Sequence, residues 1–142
     1  MVRTIVAGTD AREKGRSAVV VAHELALATG ARLLLVAVHD HGSAESDGLV
    51  RRLRAMRNEL APGALALTVA DPSPANALRR VAGQQGADLI VVGASERSRL
   101  RRLIAGQTGI RVLRDAPCAV LVAPDAAPAS WEPEPQASAA RT

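Results

Sequence analysis

The run Leu33-Leu34-Leu35-Val36-Ala37-Val38 constrains the fold more than any other part of the chain. A strand with one face in water alternates apolar and polar residues. A strand apolar on both faces has to be covered on both, which is the condition of a central strand in a parallel sheet flanked by helices. Parallel neighbours need long crossover connections, and the chain supplies them. Thr4–Ala7 reads as a short strand, followed by a polar turn over Gly8–Gly15. Ser17–Thr29 sets Ala18, Val21, Ala22, Leu25 and Ala28 on one helical face, with Gly30 as the stop. After the strand Arg32–Val38 and a polar loop, His39–Asp47, the spacing of Leu49, Leu53, Met56 and Leu60 predicts a second helix, closed by Pro62-Gly63. Leu65–Val69 is a third strand. Ser73-Pro74 has the form of an N-cap followed by proline in the first helical turn, ahead of a buried stripe of Ala77, Leu78, Val81 and Ala82 that ends at Gly86. Asp88–Val92 is the fourth strand, a helix runs from near Gly106 to Arg114, and Ala119–Val122 is the fifth strand. The expected fold is α/β: a five-stranded parallel sheet with helices on both faces.

A chain of 142 residues fits one domain. It has no Phe, no Tyr and one Trp, so the core is aliphatic, and sites built on aromatic stacking (flavin sandwiches, single-stranded nucleic-acid platforms) are disfavoured. No nucleic-acid-binding signature is present. The formal charge of +4 rests almost wholly on arginine, Lys14 being the only lysine. Arginine suits planar anionic partners, although scattered helix-face arginines are the simpler explanation of such a charge. Cys118 is alone, which precludes an intrachain disulfide and fits a reducing compartment. No apolar stretch reaches the roughly 18 residues of a membrane span, and Met1–Asp10 passes directly into a strand. The expectation is a cytoplasmic protein without membrane contact. Asp125–Thr142, rich in Ala, Pro, Ser and Glu, has no periodicity and only Trp131 as a large apolar residue, so it is expected to be a disordered tail outside a domain of residues 1–124.

Ligands of open parallel sheets bind outside the carboxyl ends of the strands, where strand order reverses. That rule selects Gly8-Thr9-Asp10, Val38 to His41, Asp71 to Pro74, and Gly93-Ala94-Ser95-Glu96. Gly93 lets backbone approach a phosphate, and Gly106 opens the next helix, whose free N–H groups suit an anion. Arg97, Arg99, Arg101 and Arg102 add positive charge between them. The spacing matches neither a Walker loop nor GxGxxG. His39, Asp40 and His41 lack further ligands at metal-binding spacing, and Ser95 and Ser98 have no elbow or base partner. No metal site and no catalytic residue are expected.

Residues 1–124 resemble a universal stress protein domain, a single-domain branch of the Rossmann-like, adenine-nucleotide α-hydrolase-like superfamily. The matching pieces are IVAGTDAREKGRSAVVVAHELA, GARLLLVAVHD, PSPANALRRVAGQQGADLIVVGA and VLRDAPCAVLVAP. The resemblance implies a nucleotide site at Thr9, Asp10, Val38, Gly93, Ala94, Gly106, Gln107 and Thr108, with Asp10 near the nucleotide and Val38 against adenine. Nucleotide-binding members carry Gly-x2-Gly-x9-Gly-Ser/Thr. Here those positions are Gly93, Glu96, Gly106 and Gln107, so two of the four depart. A carboxylate about 4 Å from a phosphate charge costs on the order of 4 kcal/mol at an effective dielectric near 20. Asp71 and Pro72 stand near a common family glycine. The implied function is a non-enzymatic stress-response or regulatory protein with a degenerate nucleotide motif. The alternative is an ATP- or AMP-binding member, with Mg²⁺ and slow hydrolysis. Family members are generally dimers, and the uncharged last strand (Ala119, Val120, Leu121, Val122) is the expected homodimer edge. A receiver domain would need clustered acidic residues and a late lysine, and Asp10 and Pro124 do not supply them.

Overall fold

Within each central strand, odd and even residues part to opposite faces, and different helices cover the two sides. The computed structural model describes residues 1–40, 46–93 and 116–124. It comprises β1 (Thr4–Gly8), α1 (Arg16–Thr29), β2 (Arg32–His39), α2 (Ser46–Leu60), β3 (Leu65–Ala70), α3 (Pro74–Gln85), β4 (Leu89–Gly93) and β5 (Ala119–Ala123). The sheet order is β3-β2-β1-β4-β5, and every neighbouring pair is parallel. Ile5, Ala7, Leu33, Leu35, Ala37 and Val91 pack under Ala18, Val19 and Ala22 of α1 and Leu49, Leu53 and Met56 of α2. Val6, Leu34, Val36, Ile90 and Val92 pack on Leu78, Val81 and Ala82 of α3. The expected five-stranded parallel sheet with helices on both faces is therefore the observed one. The helix expected from Gly106 to Arg114 and the tail 125–142 lie outside the described residues.

The core is built without rings. The sheet-facing stripe of α1 is mostly alanine, which lets its backbone settle close to β1 and β4. Branched aliphatics fill the strands, with Ile5, Leu35, Val6, Val36 and Val91 almost wholly buried. Such side chains have few rotamers and interdigitate well on a pleated surface. α3 starts as its sequence implies: Ser73 Oγ accepts from Asn76 N at 3.3 Å, with Pro74 in the first turn.

Element boundaries differ from the sequence reading at instructive places. Gly8 is the last residue of β1 rather than the first of the turn. A Cβ there would come 2.7 Å from Leu78 Cδ1, so its bareness admits α3. Inside the expected polar turn lies a short 3₁₀ turn, Glu13–Gly15. β2 runs on to His39 and β3 to Ala70, because Asp71 N continues the ladder by donating to His39 O at 2.9 Å. Asp88 precedes β4 instead of opening it. Its Oδ2 accepts from Arg3 N at 2.8 Å and Thr4 N at 3.1 Å, while its own N–H donates to Thr4 O at 2.9 Å. Those backbone donors hold its carboxyl below the usual carboxylate range.

Candidate functional site

β1 is the strand at which the order of connections reverses. From it the chain steps outward through β2 to β3, then returns beneath α3 to β4 on the other side. The carboxyl ends of β1 and β4 thus flank the reversal, and the two strands hold Ala7 level with Val91. Continuing that register sets Thr9 beside Gly93. On the other flank Gly8 is level with Val36, so Val38 extends above it. Four of the expected positions, Thr9, Asp10, Val38 and Gly93, are brought to one stretch of the sheet's carboxyl edge. Ala94, Gly106, Gln107 and Thr108 lie outside the described residues, as do Glu96 and the arginines of that loop.

The turn after β1 is built from the Thr9 hydroxyl. Thr9 N donates to Val36 O at 3.0 Å, extending the ladder. Its Oγ1 donates to Gly15 O at 3.0 Å, accepts from Ala11 N at 3.1 Å, and lies 3.7 Å from Met56 Sδ. Thr9 is buried, and this hydroxyl serves the turn rather than the crevice. Asp10, half-buried, closes an Asx turn by accepting Arg12 N on Oδ1 at 2.8 Å; its second oxygen takes no part in that turn. Ala11 sits at φ 59°, a left-handed conformation that costs an L-residue about 1–2 kcal/mol. The bond from its N–H to Thr9 holds it there. Gly15 completes the knot, because a Cβ on it would lie 2.5 Å from Asp10 Oδ1 and closer still to Thr9 Oγ1.

Val38 is half-buried against the cluster of Val6, Leu34, Val36 and Leu78, leaving part of its surface at the strand end. His39 donates from Nδ1 to Asp40 O at 2.9 Å. His41 lies outside the described residues, and among those described no three His, Cys, Asp or Glu side chains gather in a metal-binding group. Asp71 has a role that no local pattern announces. Oδ1 accepts from Ser73 N at 2.8 Å, and Oδ2 stands 3.4 Å from Arg80 Nη1, so the carboxylate ties the N-cap of α3 to its second turn. Arg16 and Glu59 join α1 to α2 through two bonds of 2.9 and 2.7 Å. Each raises or lowers the other's pKa in the sense that keeps both charged. Ser17 Oγ, in the first turn of α1, and Arg52 Nε are buried without a hydrogen-bond partner among the described residues. Cys118 is half-buried, and burial pushes its thiol pKa up, as suits an unreactive packing residue.

A five-stranded parallel sheet with its reversal at β1, and with Asp10, Val38 and Gly93 at the carboxyl edge beside it, defines a Rossmann-like α/β protein. The sequence profile of the universal stress protein family matches residues 1–124, and the chain belongs to that family. Its fold is close to that of a universal stress protein crystallised with cAMP (26% identity, TM-score 0.68, covering 88% of this chain and 98% of that one). A universal stress family protein from Burkholderia pseudomallei is similar at 26% identity and TM-score 0.58, with coverage of 85% and 95%. The fold is shared too with an Archaeoglobus fulgidus universal stress protein crystallised with dAMP (18% identity, TM-score 0.56, coverage 87% and 98%). No curated protein matches the chain significantly. Among the described residues no helix is long and apolar enough to cross a membrane.

Proposed function

We propose that this chain is a non-catalytic regulatory universal stress protein whose β1–β4 crevice takes an adenine nucleotide of low phosphate charge, AMP or cyclic AMP, ahead of ATP. The observation that carries the reading is the meeting of Asp10, Val38 and Gly93 at the strand-order reversal. Val38 offers an apolar surface for adenine, and the second Asp10 oxygen is an acceptor for a ribose hydroxyl or the base amine. Thr9 acts through the turn it braces, and Gly93 and Ala94 give close backbone approach to phosphate. Gly106, Gln107 and Thr108 then hold that group by backbone and side-chain N–H or O–H donors. The similar universal stress protein bound to cAMP supports this choice of ligand class. Glu96 supports the order of preference, since each added phosphate charge near it raises the repulsion. We further assign a homodimer to the β5 edge, with Ala119, Val120, Leu121 and Val122 pairing antiparallel to their twins.

Calorimetry of the full chain with cAMP, AMP and ATP–Mg²⁺, after any co-purified nucleotide is removed, tests the reading. AMP or cAMP is expected to bind at least about tenfold more tightly than ATP, a difference of about 1.4 kcal/mol. Glu96→Gly with Gln107→Ser is expected to raise ATP affinity. If the parent binds ATP as tightly as the double variant and as tightly as AMP, the charge argument is wrong and an ATP-using member takes its place.

A further inference from the structure

The edge of β3 is unusually inviting for a natural sheet. β3 pairs with β2 alone among the described residues, and Leu65–Ala70 contains neither a charge nor a proline to blunt its open side. Asp71 N bonds His39 O, so the alternation of a parallel ladder turns residues 67 and 69 towards β2 and leaves the N–H and C=O groups of Ala66, Thr68 and Ala70 pointing outward. Leu65 and Leu67 share a face with Val36 and α3 but lie beyond the helix, 54% and 38% exposed. The other face is bordered by α2. Glu59 of that helix reaches Arg16 of α1, and at 100° per residue the opposite flank carries Val50, Arg54 and Arg57. An added strand would thus meet leucines on one face and arginines on the other.

One segment of this chain has the matching alternation: Trp131-Glu132-Pro133-Glu134-Pro135-Gln136. In an antiparallel strand on β3 with Glu132 level with Thr68 and Glu134 with Ala66, these glutamates turn their backbone groups to β3 and their side chains to the α2 face. Trp131, Pro133 and Pro135 then stand level with Val69, Leu67 and Leu65 on the other face, with Trp131 diagonal to Leu67. The prolines fall where N–H faces away from the sheet, the only positions in an edge strand where they fit. From Pro124 to Trp131 the chain spans at most about 24 Å. Five inter-strand gaps separate β5 from a strand beyond β3, also about 24 Å, with no slack to clear the carboxyl edge.

We propose that the β3 edge accepts Trp131–Gln136 of a second copy of this chain as an antiparallel strand, a head-to-tail contact separate from the crevice and from β5. A segment too poor in apolar residues to fold alone orders by borrowing such a surface. Trp131 is the only Trp in a chain without Tyr, so its fluorescence reads the contact directly in the full protein. Emission is expected to be blue-shifted at high protein concentration and to return to that of a solvated indole on dilution. The blue shift should be lost in Leu67→Asp and in Arg54→Glu, and restored in the charge swap Arg54→Glu/Glu132→Arg, which shows that loss was not misfolding. Solvated emission at every concentration overturns the proposal. A blue shift that survives dilution overturns the second copy, and one indifferent to Leu67→Asp and Arg54→Glu places Trp131 elsewhere and overturns the β3 edge.

Discussion

Thr9→Val changes the turn after β1 by one atom and almost no volume, so it isolates the hydroxyl. Two bonds disappear, from Oγ1 to Gly15 O (3.0 Å) and from Ala11 N to Oγ1 (3.1 Å), in a residue that is 5% exposed. A buried donor or acceptor left without a partner costs about 1–3 kcal/mol. Water reaching the loosened turn recovers some of this, as does the added buried methyl, leaving a net loss of about 2–4 kcal/mol. For a domain of this size each kcal/mol lowers Tm by about 4 °C, so the variant should melt about 8–16 °C below the parent. Thr9→Ser keeps both bonds, loses one methyl, and should fall by less than half as much. The loss also frees Ala11 from its left-handed conformation, so Asp10 is expected to lose its orientation and nucleotide affinity to weaken. Thermal denaturation followed by circular dichroism, with the serine variant alongside, is the assay. If Thr9→Val melts within about 2 °C of the parent, under about 0.5 kcal/mol, the hydroxyl does not hold the turn.

Gly15→Ala should disturb the same turn from its far side and destabilise comparably, because its Cβ collides with Thr9 Oγ1 and Asp10 Oδ1; a melt equal to the parent's would show that the turn shifts freely. Stability should fall as pH drops below the ordinary carboxylate range. Asp88 and Glu59 have lowered folded-state pKa values, so their contribution is present above the unfolded values and is lost as pH falls through the folded ones. Asp88→Asn should flatten that acid limb in chemical-denaturation titrations, and an unchanged limb would remove Asp88 from it. If the proposed homodimer pairs through β5, Leu121→Asp should give monomers in sedimentation, and an unchanged dimer mass would exclude that edge.

The parallel sheet was legible because Leu33–Val38 leaves few alternatives, and because Ser73-Pro74, Gly30 and Gly86 mark helix ends with local chemistry. What escaped was non-local. Asp88 reads as the start of an apolar run, and only its distance to Arg3 and Thr4 shows that it fastens another strand. Asp71 resembles an ordinary turn residue until Arg80 is brought against it. Thr9 was singled out by its place after β1, a position rule that is silent on which way the hydroxyl turns. Val38 needed no such detail, since its place at the end of an apolar strand already implies a half-covered surface.

The Asp88 contacts reach back 84 and 85 residues, to the entry of β1. During synthesis β1 emerges ahead of the other strands of the sheet and finds β2 soon after, yet its opposite edge stays bare until β4 has left the ribosome. A half-made chain therefore presents the middle of the future sheet as an exposed border, with Ile5, Val6 and Ala7 unpaired on that side. That late-closing seam between β1 and β4 is the one beside which Thr9 and Asp10 stand. Nascent chains stalled before residue 89 should therefore be the ones most in need of a chaperone.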